Sequence, residues 1–186
     1  MKSRSDRYFE GIVDHVNKKF CFIESEKFQK DTKVRNRNMN GAIHRDRVLF
    51  AIFKNDKKNK IEGKIIKVLE RARNTFVGKI QDNGGFAFFI PDHKNIYTDF
   101  FVKKNSTKKY KENLKVILKV TKWNTRGKPE GSIIKILGKS GENETEINSI
   151  MHEYCLSEKF PNDVMLEINN LKSKIEKEEI NKRKDI

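Results

Sequence analysis

Two clusters of phenylalanine and lysine are the side chains in this sequence best suited to binding chemistry. The larger cluster lies in the segments GGFAFF and DFFVKKN and comprises Phe86, Phe88, Phe101, Lys103 and Lys104. Aromatic rings stack on nucleic-acid bases and lysines neutralise phosphates, a combination typical of surfaces that bind single strands. Successive residues of a β-strand point to opposite faces. We therefore expect Phe86 and Phe88 on an exposed face, with Phe101 beside them, and Ala87 and Phe89 in the core.

The smaller cluster has fewer aromatic residues. The segments KKFCFI and DTKV supply Lys18, Lys19, Phe20, Phe22 and Lys33. Lys33 occupies the position that Phe101 has in the larger cluster, so we predict that the larger cluster stacks bases more strongly. The smaller cluster then depends more on charge. The sequence leaves open the alternative that all these phenylalanines are core residues.

The distribution of charge favours a polyanionic partner. The 186 residues have a net charge of +15, but residues 1–141 carry +19 and residues 142–186 carry −4. Such a concentration of positive charge attracts RNA, DNA or an anionic membrane through release of counterions. Solubility alone is the weaker explanation, because it seldom needs this much charge of one sign.

Membrane and secreted classes are disfavoured. No apolar run approaches the roughly 20 residues that span a bilayer, and the N-terminal segment MKSRSDRYFE has no hydrophobic signal region. Cys21 and Cys155 are far apart and form no pattern of paired cysteines. We expect a cytoplasmic protein without a membrane partner.

An internal repeat predicts the elements that position the two clusters. EGKIIKVL (62–69) and EGSIIKIL (130–137) match at six of eight positions. Upstream of them, GIVDHVNKKFCFI resembles GKIQDNGGFAFFI at nearly the same offset. Each unit contains about five short strands separated by turn residues, which is typical of a small barrel. We predict a mainly β fold with two tandem five-stranded OB-fold (cold-shock-like) barrels, in residues 1–73 and 74–141, followed by a short α-helical segment in residues 142–186.

Helical periodicity replaces strand periodicity after Gly141. Asn143 and Glu146 predict a capping box at the start of a first helix, and Ile147, Ile150, Met151 and Tyr154 follow at helical spacing. A second helix is predicted near Pro161, with a stripe of Val164, Ile168, Leu171 and Ile175. Stripes of this kind more often pack against a domain than bind a ligand.

Longer segments resemble a known family. KKFCFI and GGFAFF are similar to the first RNA-binding motif of cold-shock domains, and DFFV is similar to the second. Four segments resemble, in order, the N-terminal half of bacterial ribonuclease R in the ribonuclease II superfamily: NGAIHRDRVLFAI, EGKIIKVLER, EGSIIKILGKSG and YCLSEKFPNDV. Arg45 departs from the family pattern, which usually has glycine there. In this family two cold-shock barrels precede a catalytic domain that degrades RNA from its 3′ end with magnesium.

The resemblance implies a role in loading RNA. The family's catalytic domain holds magnesium with a tight cluster of aspartates, because hard cations need converging carboxylates. In this chain Asp163 and Asp185 are isolated, so we expect no catalytic residue, metal ligand or cofactor in it. The expected function is single-stranded RNA binding as the substrate-loading module of a ribonuclease R-type 3′-5′ exoribonuclease, with a separate or downstream catalytic domain as partner. The alternative is a free-standing cold-shock-like RNA chaperone.

Overall fold

The protein, described here by a computed structural model, consists of ten strands and three helices in residues 8–55, 60–102, 113–125, 127–157, 160–171 and 177–182. The first five strands are β1 (Tyr8–Val16), β2 (Phe20–Glu24), β3 (Thr32–Arg35), β4 (Arg47–Asn55) and β5 (Lys60–Glu70), with a 3-10 helix at Asn36–Asn38. The next five are β6 (Thr75–Asp82), β7 (Ala87–Pro91), β8 (Phe100–Val102), β9 (Leu114–Lys122) and β10 (Glu130–Lys139). The helices are α1 (Asn143–Glu153), α2 (Asn162–Asn170) and α3 (Lys177–Lys182).

The strands form two closed barrels with the same topology. In the first, the order is β1-β2-β3-β5-β4, and in the second it is β10-β8-β7-β6-β9. Each barrel closes where its third strand pairs in parallel with its fifth, as Val34 does with Gly63 and Val102 with Gly131. The predicted mainly β fold of two five-stranded OB-type barrels and a short helical segment is confirmed. The domain limits at residues 73 and 141 stay predictions.

The glycine of each repeated EG pair is explained by close packing of the fifth strand against a neighbouring strand. A Cβ atom on Gly63 would lie 2.7 Å from Cγ2 of Thr32, and one on Gly131 would lie 2.4 Å from Cδ2 of Leu118. Side chains do not tolerate such distances. Glycine therefore lets the fifth strand pass close to a neighbouring strand, which is β3 in the first barrel and β9 in the second.

Each barrel has its own hydrophobic core. The first is built around Phe50, Ile23 and Ile65, and the second around Phe76, Phe89, Phe100 and Leu118, all at most 1% exposed. Burying one such side chain contributes about 1.5–3 kcal/mol. Each barrel thus fills its interior with side chains from its own strands, and Ile43 of the first barrel adds to the second core.

The loop between β3 and β4 packs the first barrel against the second. Ile43 of this loop packs in the core of the second barrel. The buried carboxylate of Asp46 accepts hydrogen bonds from the backbone N–H of Ile43 at 2.9 Å and of Ala72 at 3.0 Å, and from Nη1 of Arg71 at 2.7 Å. The Arg71 guanidinium also lies 3.7 Å from the ring centroid of Trp123 in the second barrel. These contacts hold the barrels in one arrangement.

Two histidines face each other across the same junction. The rings of His44 and His93 are 5.5 Å apart, and Nε2 of His44 lies 3.2 Å from Nδ2 of Asn95. Burial lowers the pKa of both imidazoles below its usual value, and each also responds to its charged surroundings. For His44 the neighbouring His93 lowers the pKa further, whereas for His93 the carboxylate of Glu153 opposes the effect of burial.

Helix α1 packs on the second barrel through small and charged side chains. Thr145 and Ser149 are its buried residues, and Glu146 Oε2 lies 2.6 Å from Nζ of Lys115. The predicted capping box is wrong: Glu142 is the N-cap, no side chain caps the helix, and the carboxylate of Glu146 accepts from the backbone N–H of Gly141 instead. The carboxylate of Glu146 therefore connects the start of the helix, through Gly141, to Lys115 of the second barrel.

The apolar stripes of the helical segment are largely exposed. Ile147 and Ile150 of α1 and Tyr154 just after it are at least half exposed, and near α2 the same holds for Leu171. Val164 is half-buried, Ile168 is exposed, and Ile175 lies outside the described residues. The expectation that these stripes pack against a domain is wrong for the described residues of this chain. None of the described helices is long and apolar enough to cross a membrane.

Candidate nucleic-acid interface

Three phenylalanine rings form a continuous surface on the second barrel. Phe88 of β7 pairs with Phe101 of β8, and Phe86 precedes β7 at the end of a turn. The rings of Phe86 and Phe101 are stacked, with centroids 6.2 Å apart and planes at 28°. Phe88 meets Phe86 at 5.4 Å and Phe101 at 6.2 Å, edge to face in both cases. We call these three residues the second platform.

The second platform lies on the face of the sheet away from the core. Phe86 is 41% exposed, and Phe88 and Phe101 are half-buried because the three rings cover one another. Their neighbours in sequence, Phe89 and Phe100, are completely buried. The predicted placement of the two faces is confirmed, and the alternative in which all these phenylalanines are core is wrong.

A tight turn brings Phe86 into the second platform. Oδ1 of Asp82 accepts a hydrogen bond from the backbone N–H of Gly84 at 2.9 Å, and the N–H of Asn83 donates to the carbonyl of Phe86 at 2.9 Å. Gly84 has φ +80°, a conformation that glycine adopts without steric cost. No atom lies within 4 Å of a Cβ built on either Gly84 or Gly85. The glycines therefore leave open space beside the rings.

Lys128 also lies at the second platform, and it was not predicted from the sequence. Its Nζ lies 4.1 Å from the ring centroid of Phe88 and 2.6 Å from Oδ2 of Asp99. Lys128 lies in the loop between β9 and β10, and β10 reaches the platform because it pairs in parallel with β8. The basic segment RGK just before the repeated EG pair was the available signal. The predicted Lys103 and Lys104 lie outside the described residues.

The equivalent surface of the first barrel has two rings and a lysine. Phe20 and Phe22 of β2 are 5.4 Å apart, and Nζ of Lys33 lies 3.8 Å from the ring centroid of Phe20. Phe22 pairs with Lys33, as Phe88 pairs with Phe101 in the second barrel. We call Phe20, Phe22 and Lys33 the first platform. His15, whose ring lies 6.3 Å from that of Phe22, also borders it and was missed from the sequence.

The remaining predicted lysines lie in the turn that leads into the first platform. Lys18 and Lys19 are exposed between β1 and β2. Oδ1 of Asn17 accepts hydrogen bonds from the backbone N–H of Lys19 at 2.8 Å and of Phe20 at 3.0 Å. In both barrels a side-chain oxygen at the start of this turn, of Asn17 or of Asp82, accepts from the backbone two residues on, but only the second barrel has glycines in the turn.

The described residues do not fit a magnesium site. In that part of the chain, no three His, Cys, Asp or Glu side chains lie close enough together to hold a metal ion. A hard cation needs several converging oxygen ligands. We therefore assign no step of any reaction to a metal held by these residues.

Each barrel overlaps a match to a known domain family. Residues 11–68 match the family described as Ribonuclease B OB domain, and residues 88–161 match the family described as Cold shock domain. Ribonuclease R from Thermotoga maritima is 32% identical over 148 residues, which cover 78% of this chain and 21% of that protein. The chain thus spans about a fifth of the length of this curated relative.

Two solved structures share the fold. RNase R of Mycoplasma genitalium, in complex with ribose methylated single-stranded RNA, superimposes with a TM-score of 0.70 at 22% identity, over 93% of this chain and 28% of that one. Yeast Ssd1, a pseudonuclease, superimposes with a TM-score of 0.70 at 17% identity, over 82% of this chain and 25% of that one. At these identities the similarity concerns the fold.

Proposed function

The chain belongs to the ribonuclease R family as its cold shock and OB region, and on this premise we propose that it binds single-stranded RNA as the substrate-loading module of a 3′-5′ exoribonuclease. The observation that carries the proposal is the second platform. Three exposed or half-exposed phenylalanines in mutual contact have no use in a core that is already filled from the other face of the same strands. Bases of a single strand stack on such rings.

Binding combines stacking with charge. Each base stacked on an aromatic ring contributes about 1–3 kcal/mol, whatever its identity. Lys128 beside Phe88, together with the +19 charge of residues 1–141, supplies cations for the phosphates. Because each phosphate contact releases counterions, affinity falls steeply as salt rises. Stacking and charge both favour a flexible single strand, because its bases can unstack from one another and stack on the protein.

The exposed helical segment favours a loading module over the alternative of a free-standing RNA chaperone. Ile150 of α1, Tyr154 just after it and Leu166 of α2 are each more than half exposed. A chaperone barrel needs no such extension, whereas a module joined to a catalytic domain has a use for an apolar surface beside its second barrel. Magnesium belongs to that catalytic domain in our proposal.

RNA binding is tested by fluorescence anisotropy with a labelled single-stranded RNA and the full 186-residue chain. Replacing Phe86, Phe88 and Phe101 together with alanine should weaken binding by at least about fivefold, since stacking of even one base is worth about 1–3 kcal/mol. Phe160→Ala is the matched control, because Phe160 is an exposed phenylalanine of the helical segment. Equal losses in both variants, or an affinity that is independent of salt, would contradict the proposal.

A second experiment tests whether this chain by itself cleaves RNA. We propose that the purified chain releases no nucleotides from labelled RNA when magnesium is added, since the described residues do not form a metal site. Release that is abolished by EDTA and insensitive to inhibitors of contaminating nucleases would place an active site within this chain.

A further inference from the structure

A cleft of about 370 Å³ lies between the two barrels. The first barrel lines it with the turn before β2 and the segment from Asn36 to Ile43, and the second lines it with the loop before β8 and the loop between β9 and β10. Small-molecule sites have volumes of about 300–1,000 Å³. The cleft is therefore large enough for a planar heterocycle, and Trp123 forms part of its wall.

The cleft lies between the two platforms. At one rim, Asn17 holds the backbone of Phe20 by accepting from its N–H at 3.0 Å. At the other rim, the carbonyl of Pro129 accepts from the N–H of Phe101 at 2.8 Å, and Lys128, next to Pro129, covers Phe88. Both Asn17 and Pro129 line the cleft. A strand that contacts both platforms has this cleft between its two contacts.

The polar groups of the cleft are mainly side-chain amides. In Asn36, Asn40 and Asn124, Nδ2 donates to a backbone carbonyl, of Lys18, Ile66 and Lys128 respectively, at 2.8–2.9 Å. These bonds fix the amide planes and engage one of the two N–H donors of each amide, and Nδ2 of Asn124 also lies 3.3 Å from Oε1 of Glu130. Among the described residues, the Oδ1 atoms of all three accept no hydrogen bond. A fixed set of neutral acceptors complements a ligand that presents N–H donors.

The aromatic wall is rigid. One face of the Trp123 indole is covered by the Arg71 guanidinium at 3.7 Å, and its edges contact Phe76 at 6.3 Å and Phe100 at 6.1 Å. Arg71 is itself held by the buried carboxylate of Asp46. A wall fixed in this way needs no ordering when a ligand enters, and this lowers the cost of binding.

We infer that this cleft binds one unstacked RNA base that carries an exocyclic amino group, as the strand passes from one platform to the other. The inference rests on the proposed function and adds base recognition to it. Amides recognise exocyclic amino groups and ring nitrogens on the edges of unstacked bases. Uracil has no amino group and is the base that the cleft disfavours. The platforms tolerate every base, so the preference arises in the cleft.

Oligo(C) and oligo(U) of equal length are the probes that isolate the amino group, because both bases are pyrimidines. Binding of labelled RNA to the full chain is followed by fluorescence polarisation, and entry into the cleft is followed by the emission of Trp123, the single tryptophan of the sequence. We expect oligo(C) to bind about tenfold more tightly than oligo(U) and to change the emission of Trp123.

Two variants and one control connect the preference to the cleft. Thr125→Phe places a bulky side chain at an exposed position of the lining, and Asn36→Ala removes an acceptor, so each should bring oligo(C) to the affinity of oligo(U). Asn74→Ala, an exposed amide outside the cleft, should leave the preference unchanged. Equal affinities in the native chain, or bound RNA without a change in Trp123 emission, would overturn this inference alone. An absence of any polarisation change would overturn the proposed function as well.

Discussion

The two barrels share one strand plan and differ in how they present aromatic rings. In both, the second and third strands of the barrel carry the outer-face residues, and the pairing of Phe22 with Lys33 is equivalent to that of Phe88 with Phe101. The second platform thus has three rings in contact, whereas in the first an ammonium group lies 3.8 Å above the ring of Phe20. One residue at one register position changes a stacking surface into a charged one.

This difference between the platforms changes what a base must displace before it can stack on a ring. On the first platform, a base that stacks on Phe20 competes with a cation–π contact, worth about 0.5–1 kcal/mol at an exposed site. On the second platform, Lys128 occupies a comparable position over Phe88, but Phe86 and Phe101 present further ring surface. In the proposed function, the second barrel therefore stacks bases and the first contacts phosphates.

The largest expected effect separates the two faces of β7. Phe89→Ala should lower the free energy of unfolding by about 3–5 kcal/mol, because it leaves a cavity in a closed core. Phe88→Ala, one residue away on the outer face, should change stability far less. Urea denaturation of both variants measures the difference. Similar losses in the two variants would mean that the outer ring is as important for stability as the core ring.

The next effect compares the platforms directly. Single alanine substitutions in the second platform should weaken RNA binding by about 1–3 kcal/mol for each base that loses its stacking partner. Substitution of Phe20 or Phe22 should cost less, since Lys33 already occupies part of the first surface. RNA titrations at fixed salt provide the ranking. A greater loss from the first platform would reverse the assignment of roles.

Exchanging the residues at the equivalent position sharpens the comparison further. Lys33→Phe should make binding less dependent on salt, reducing the slope of log affinity against log salt by about 0.7 for one lost phosphate contact with a single strand. Phe101→Lys should increase the slope by the same amount and weaken stacking. Titrations at several salt concentrations give both slopes. Unchanged slopes would mean that neither position contacts the RNA backbone.

The smallest effect concerns the junction that couples the barrels. The pKa of His44 and of His93 is lowered in the folded protein, by burial first, so the unfolded chain binds protons more readily than the folded one. Stability is then fully present above the unfolded pKa of about 6.5 and decreases as pH falls below it. Asp14 near His44 and Glu153 near His93 limit the decrease, while Arg45, Arg73 and Lys94 act in the opposite sense.

The measurement is the midpoint of denaturation between pH 7.5 and pH 5.5. His44→Gln and His93→Gln should each flatten the decrease, because glutamine does not titrate. His15→Gln is the matched control, since His15 borders the first platform and lies away from the junction. A decrease that persists in the double variant of His44 and His93 would assign the pH dependence to other groups.

Much of the interface was predictable because it depends on local regularities. Alternation along a strand places Phe86 and Phe88 opposite Ala87 and Phe89, and a closed barrel has only one inside, so exposure follows from the pattern. Lys128 was missed because it comes from a loop more than twenty residues away, and only the parallel pairing of β10 with β8 brings it to the platform. Contacts across that sequence separation leave no periodic signal.

Helix α1 shows the opposite case, in which a regular pattern was misleading. Its apolar residues predict a buried stripe, yet the helix packs through Thr145 and Ser149. The space beside Gly138 explains this, since a Cβ on that glycine would lie only 2.1 Å from Oγ1 of Thr145. The contact is so close that only small side chains fit, and the bond between Glu146 and Lys115 directs the same face inward. Hydrophobic periodicity does not include such steric limits.

The sequence by itself determined the two five-stranded barrels, the outward face of Phe86 and Phe88, and the presence of Lys33 in the first barrel at the position of Phe101 in the second. All of these depend on strand alternation and on a repeat that is visible in the residues. Only the tertiary structure decided the cleft between the barrels, the junction of Asp46, Arg71 and Trp123, and the position of Lys128. These depend on how loops from different barrels meet, and that is decided by packing and buried charge over long separations in the chain.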